Sequence, residues 1–187
     1  MTMVQRKPQT EAPLAKQVKH RSASVTGIDL FSIHVAQLVF IARWETTGAP
    51  KTCKVFASLL PMTMKLIHCS WSGEGVWIPL GKWEKEWHEE NQIRHPAPGQ
   101  LLLHIGRRSE PELLIPCGSC SFRSKFGPLS GNHFATVIQG TEDLLELHRL
   151  LLWHGAQDCT IEAIGCGEES RAVMELIEGK VERTTQS

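Results

Sequence analysis

Apolar and polar residues alternate along much of the chain. Phe31, Ile33 and Val35 alternate with Ser32 and His34. After a turn at Ala36-Gln37, Leu38, Phe40, Ala42 and Trp44 alternate with Val39, Ile41 and Arg43. A period of two is that of a β-strand, whose successive side chains face opposite ways. The two runs read as a hairpin whose second strand is apolar on both faces. Further strands are expected at residues 64–71, 75–80, 100–105, 112–116, 132–139 and 159–164, with a short one at 119–123. Many short strands ended by glycine or proline indicate a sandwich or a barrel.

Two segments change period. From Pro50, the residues Cys53, Phe56, Ala57 and Leu60 recur at i, i+3, i+4 and i+7, one apolar stripe of a helix. Proline at the first helical position loses no hydrogen bond, and Pro61 ends the run. A second helix starts at Thr141, read as its N-cap, with Glu142 and Asp143 complementing the helix dipole. Leu144, Leu147 and Leu151 share one face, Leu145 and Leu152 widen it, and Gly155 suits the position just past the end. A weaker third helix is expected at 168–178. Residues 1–26 and 181–187 are polar, lack periodicity and read as tails around one domain spanning 27–180.

Composition narrows the function classes. Of 187 residues 41% are hydrophobic, enough for one sizeable core, and Lys+Arg balance Asp+Glu at 20 each. That balance argues against nucleic acid as a partner, which calls for a basic face. No run reaches the roughly 20 apolar residues of a membrane span, and no signal-peptide core precedes the domain. The expected location is cytoplasmic. The six cysteines then read as reduced thiols. Cys117-Gly118-Ser119-Cys120 lacks the further ligands at matched spacing that zinc requires, so no metal and no cofactor are expected. Phosphate-loop, dinucleotide-binding and hydrolase-elbow motifs do not occur.

Several segments together resemble a known fold. Ala49-Pro50-Lys51-Thr52-x-x-x-Phe56 is similar to the A-P-K-T-x-x-x-F helix start of cyclophilins. Pro98-Gly99-Gln100-Leu101 resembles their P-G-x-L segment, and Asn132-His133-Phe134 stands where they carry S-Q-F-F. Trp71-Ser72-Gly73-Glu74-Gly75-Val76-Trp77, Gly131-Asn132-His133-Phe134 and Leu152-Trp153-x-Gly155-Ala156-Gln157-Asp158 resemble a family of small bacterial proteins of unknown function with a cyclophilin-like fold. The resemblance spans roughly residues 29–165. It implies a mainly β protein, a closed cyclophilin-like β-barrel capped by two α-helices, one over each mouth. It also marks a departure. Cyclophilin isomerases use an arginine in an F-H-R segment, and Ile67-His68-Cys69 stands there instead. The barrier to peptide rotation is about 18–20 kcal/mol. A charged donor aimed at the twisting amide is the kind of group that lowers it, so its loss argues against isomerase activity.

Two segments hold the candidate chemistry. Glu74, flanked by glycines and set between Trp71 and Trp77, is a candidate acid or base, because partial desolvation raises a carboxyl pKa. The competing reading is a turn glutamate in water with the tryptophans as packing. His133 is a candidate base or shuttle, with Asn132 as donor and acceptor and Phe134 as a ligand contact; His68, near the Trp71–Trp77 hairpin in sequence, is a further candidate contact whose competing reading is structural. The competing reading is a histidine bonded to backbone. His104 reads as a core or rim histidine. The charged, aromatic segment at 83–90 reads as a solvated loop, or as a flap over a pocket if it folds across the barrel mouth.

The expected function is binding, with or without turnover, of a small polar metabolite in a pocket formed by Trp71, Glu74, Trp77, Asn132 and His133. Proline-peptide isomerisation or binding is the first alternative. The second is a non-catalytic, homo-oligomeric interaction module paired through a sheet edge.

Overall fold

The structure, a computed structural model, describes residues 30–106 and 109–165, together with residues 173 and 175. Both expected tails lie outside the described residues. So does the third helix, apart from Val173 and Glu175, which are helical.

The alternation at the start of the chain forms a hairpin, β1 (Leu30–Val35) and β2 (Leu38–Trp44). Ala36, with φ 51°, supplies the left-handed turn that matches the twist of two antiparallel strands. The second strand is not buried on both faces. Leu38, Phe40, Ala42 and Trp44 point inward, whereas Val39 is 47% exposed, as befits the outer wall of a barrel. The helix α1 (Pro50–Ala57) begins at the proline and buries Thr52, Cys53 and Phe56.

The strand β3 (Met62–His68) stops short of Trp71, because residues Ser70–Ser72 close a 3-10 turn before β4 (Gly73–Pro79). The two-residue β5 (Gln92–Ile93) and β6 (Gln100–His104) follow. The expected strands at 112–116 and 119–123 are one long strand, β7 (Glu112–Cys120), carried past Pro116 and Gly118 by a bulge against β4. Two short strands, β8 (Arg123–Ser124) and β9 (Gly127–Pro128), form a small hairpin ahead of β10 (Gly131–Gln139).

Thr141 is not an N-cap. Residues Thr141–Asp143 make a 3-10 turn with no side-chain cap, and α2 (Leu144–His154) begins after it. Leu144, Leu147 and Leu151 are buried as expected. Leu145 and Leu152 do not widen the buried face and are exposed. Gly155, at φ 76°, follows the helix, and β11 (Gln157–Ile164) completes the sheet.

The strands run β2-β1-β11-β3-β4-β7-β6-β10, and β10 pairs back onto β2. Every pairing is antiparallel, so eight strands close a barrel of the cyclophilin-like kind. Closure leaves only the two-residue β5 at the end of this sheet, so the long free edge on which pairing of two copies was expected is absent among the described residues.

The registers place the helices. Leu30 pairs with Arg43 and with Ile164, so the end of β2, the start of β1 and the end of β11 share one mouth, and α1 connects there. The second helix joins the end of β10 to the start of β11, at the opposite mouth. One core includes Phe56 of α1 and Leu147 of α2 with the inward residues of the wall. Under α1, Phe56 and Phe134 lie 4.7 Å apart and Phe31 and Trp44 4.3 Å apart. Burying one such ring stabilises the fold by roughly 1.5–3 kcal/mol. A second, smaller core lies on the outer wall, where Trp77, Leu102 and Leu114 are covered by Phe122 and Leu129.

Candidate functional site

The two segments expected to share a pocket lie in different parts of the barrel. Asn132 pairs with Leu103, Leu103 with Leu113, and Leu113 with Ile78. Glu74 is four residues back along β4 from that level, toward the other mouth. The separation is roughly 13 Å along the strands and about 14 Å across three strand spacings of the wall.

The Glu74 side chain is tied into the β4–β7 bulge. Its Oε2 accepts a hydrogen bond from the Ser119 N–H at 2.8 Å, and any side chain on Gly118 would collide with it. Trp77 is buried in the outer core, and Trp71 packs edge-on against it at 5.8 Å while staying half exposed. His68 stacks on His148 of α2 at 4.7 Å. Burial, and then the neighbouring imidazole, lowers its pKa. Phe134 is wholly buried in the barrel core.

At the mouth holding α1, Asn132 and His133 anchor residues 88–92, which cross the N-terminus of that helix. Asn132 is 0% exposed and makes four hydrogen bonds. Its Nδ2 donates to Thr52 Oγ1 (2.8 Å) and to the His88 carbonyl (2.6 Å). Its Oδ1 accepts from the Glu90 N–H (3.1 Å) and Gln92 Nε2 (3.2 Å). Glu90 completes the anchor by accepting from the N–H groups of Lys51 and Thr52 and from Thr52 Oγ1. Burial opposes ionisation of Glu90, but these bonds outweigh it and hold its carboxyl below the usual range. The segment expected to be a solvated loop is therefore a fastened strap. Trp83 and Trp87 pack on the core, and the helix N-terminus sits under a carboxylate.

His133 is 9% exposed and fully engaged. Its Nε2 donates to Thr136 Oγ1 at 2.9 Å, and that hydroxyl donates to Glu45 Oε1 at 2.6 Å. Asn91 Nδ2 donates to the His133 carbonyl at 2.8 Å. Burial lowers the histidine's pKa, against the opposing pull of Glu45. With both neighbours satisfied, His133 orients the strap more readily than it moves a proton.

The strap forms one wall of a cavity of about 300 Å³. Trp87, Glu89, Gln92 and Arg94 line that side, and His104, Ile105 and Gly106 line the end of β6. Pro128, Leu129 and Ser130 close it. His104 Nδ1 donates to the Ser130 carbonyl at 2.7 Å, which fixes the tautomer and leaves the buried Nε2 without a partner among the described residues. Burial lowers its pKa, against the opposing pull of the Ser130 bond. Its register partner on β7 is Glu112, 2% exposed and without a hydrogen bond or ion pair among the described residues. Burial, and then repulsion from Glu110, pushes the Glu112 carboxyl up to about 8. A neutral acid and a neutral imidazole thus stand side by side in the wall.

Sequence reasoning missed Arg94, Glu89 and Glu112, which lie in or beside irregular segments. The one available signal was Glu112 itself, an acidic residue heading an otherwise apolar strand. The Cys117 and Cys120 thiols lie on β7, and burial raises both pKa values, Cys120 to about 12. Such thiols are poor nucleophiles.

Residues 31–163, which take in both helices and the whole barrel but for the first residue of β1 and the last of β11, match the model of a protein family of unknown function, DUF3830. The chain belongs to the DUF3830 family. Among solved structures, this DUF3830 chain is similar to McbB in complex with tryptophan, with a TM-score of 0.53 at 14% identity. That match covers 71% of this chain and 44% of McbB, so the DUF3830 chain spans less than half of McbB's length. It is also similar to the hypothetical protein AF2241 from Archaeoglobus fulgidus, at TM-score 0.49 and 13% identity, covering 75% of this chain and 98% of that one. At these identities the likeness to McbB speaks of fold alone. No curated protein matches the sequence. No described helix is long and apolar enough to cross a membrane.

Proposed function

We propose that this DUF3830 chain binds a small polar metabolite in the cavity between the strap and the end of β6, with Asn132 and His133 as positioning residues for the strap. The observation that carries the reading is the cavity's lining. Arg94, Glu89, Gln92 and Ser130 bring polar groups to one space of about 300 Å³ whose remaining walls include Trp87, Ile105 and Leu129. Small-molecule sites are concave, mostly apolar and oriented by a few converging polar groups, and this volume is at the lower end of their range. The wall opposite the strap is held by the 2.7 Å bond between His104, the last residue of β6, and the Ser130 carbonyl.

The test is a thermal-shift panel of small acids, amines, amino acids and sugars on three proteins. Compounds that raise the melting temperature of the wild-type chain are expected to lose that effect in Ser130→Trp, which fills the cavity. They are expected to keep it in Glu74→Gln. Stabilisation that survives in the first variant and vanishes in the second would move the site to the β4–β7 bulge and refute the proposal.

A further inference from the structure

Among the described residues, the cavity wall carries two full charges, which are of opposite sign and do not neutralise each other. Glu89 and Arg94 flank β5 within the same strap, and both side chains are exposed. Neither makes an ion pair or a side-chain hydrogen bond among the described residues. The adjacent carboxylate behaves differently, since Glu90 is spent on the N-terminus of α1. Lys82 and Glu84 meet at 2.8 Å, whereas Glu89 and Arg94 border a shared space that also has an apolar side, made by Trp87, Ile105 and Leu129.

We propose that the occupant is a zwitterion, a free α-amino acid with an apolar side chain. Its carboxylate lies at Arg94, its ammonium at Glu89, and its side chain against Trp87 and Leu129. This inference rests on the cavity being the ligand site, and it deepens that reading by naming the chemical class. A guanidinium presents a fork of donors matched to a carboxylate. A carboxylate accepts from an ammonium, which carries three donors. A cavity of about 300 Å³ is large enough for an amino acid of medium size. A ligand with one charge would leave the other wall charge unpaired and partly desolvated, which costs affinity. The Gln92 amide and the Ser130 hydroxyl, on the same wall, supply neutral donors and acceptors for the polar end.

The experiment is calorimetric titration of the full chain with two matched series. One is L-leucine, 4-methylpentanoate and 3-methylbutylamine. The other is L-phenylalanine, 3-phenylpropanoate and 2-phenylethylamine. Within a series the amino acid is expected to bind at least about tenfold tighter than either singly charged analogue. Arg94→Ala is expected to bring the amino acid down to the amine's affinity, and Glu89→Gln to bring it down to the acid's. The exchanged pair Glu89→Arg with Arg94→Glu is expected to recover most of the wild-type affinity, which a purely structural role for either residue would not allow. Equal binding of acid and amino acid, with Arg94→Ala abolishing both, overturns the zwitterion and leaves the cavity reading standing. Binding that ignores both variants overturns both, whereas no binding in either series overturns the zwitterion alone, because the cavity reading also admits ligands outside these series, sugars among them.

Discussion

Glu112 is a single residue whose surroundings set a measurable property of the whole chain. It heads β7, its neighbours across the sheet are Pro79 and His104, and no cation reaches it among the described residues. The carboxyl therefore stays protonated near neutrality, at about 8 against 4.5 for the free side chain. A raised carboxyl pKa means that the folded chain holds the proton more tightly than the unfolded one. The associated stabilisation is fully present below about pH 4.5 and is lost as the pH rises through about 8. Each pKa unit corresponds to about 1.4 kcal/mol, so the total swing is several kcal/mol at most. Glutamine cannot titrate. The prediction is that the melting temperature of Glu112→Gln gains on that of the wild type steadily between pH 5 and pH 9. A difference that stays flat across that range would mean that Glu112 is solvated or paired in solution.

Among the elements, the strap over α1 is the one whose role sequence pattern did not reveal. Hydrophobic periodicity reports elements that repeat a contact every two or 3.6 residues. The hairpin of β1 and β2, the helix at Pro50 and the helix at Leu144 all do so, and each was legible to within a few residues. Residues 81–91 repeat nothing. The end of this segment at His88 and Glu90 is fixed by bonds to Thr52 and Asn132, 38 to 44 positions away in sequence, and such contacts leave no local signature. The same limit explains Glu74. Its flanking glycines and tryptophans were legible, but the partner it finds is the Ser119 N–H on a distant strand rather than a ligand. His133 and Asn132 were legible as unusual polar residues on an apolar strand, yet their partners were not. The strap's dependence on Asn132 can be measured. Asn132→Leu deletes four hydrogen bonds and leaves the Glu90 N–H and the His88 carbonyl without that partner, at a cost of roughly 2–4 kcal/mol. Amide hydrogen exchange is expected to accelerate at residues 88–92, with β1 and β11 unchanged and the barrel still folded. Cavity binding is expected to weaken with it. Retained protection across 88–92 would show that Trp83 and Trp87 hold the strap by packing alone.

For the molecule as a whole, closure is what couples distant parts. An open sheet can fray from its edges, but here β10 pairs with β6 on one side and β2 on the other, so the wall has no weak end among its eight strands. Both mouths drain into one core. Phe134 at the α1 mouth and Leu147 at the α2 mouth belong to the same cluster of buried side chains, although 4.7 Å ring packing ties Phe134 to Phe56 and not to α2. Fold resemblance could foretell the barrel because several residues of the motifs that carried it, Ala49, Phe56, Val76, Leu101 and Phe134, belong to that cluster. It could not foretell the cavity, which is built outside the barrel by the strap and residues 128–130. A closed wall with a single core implies one cooperative unit, and the implication can be tested from both ends. Phe134→Ala removes a ring from a filled core and should cost roughly 3–5 kcal/mol, and Leu147→Ala roughly 2–5 kcal/mol. In urea, each variant is expected to shift one common transition, read alike by tryptophan fluorescence and by far-ultraviolet circular dichroism, with an unchanged slope. The tryptophans report from both the core and the outer wall, since Trp44 lies under α1 and Trp77 beneath Phe122. If Leu147→Ala instead gave a separate early phase in dichroism with fluorescence unmoved, α2 would be an appendage that melts alone, and the coupling of the two mouths through the barrel interior would have to be given up.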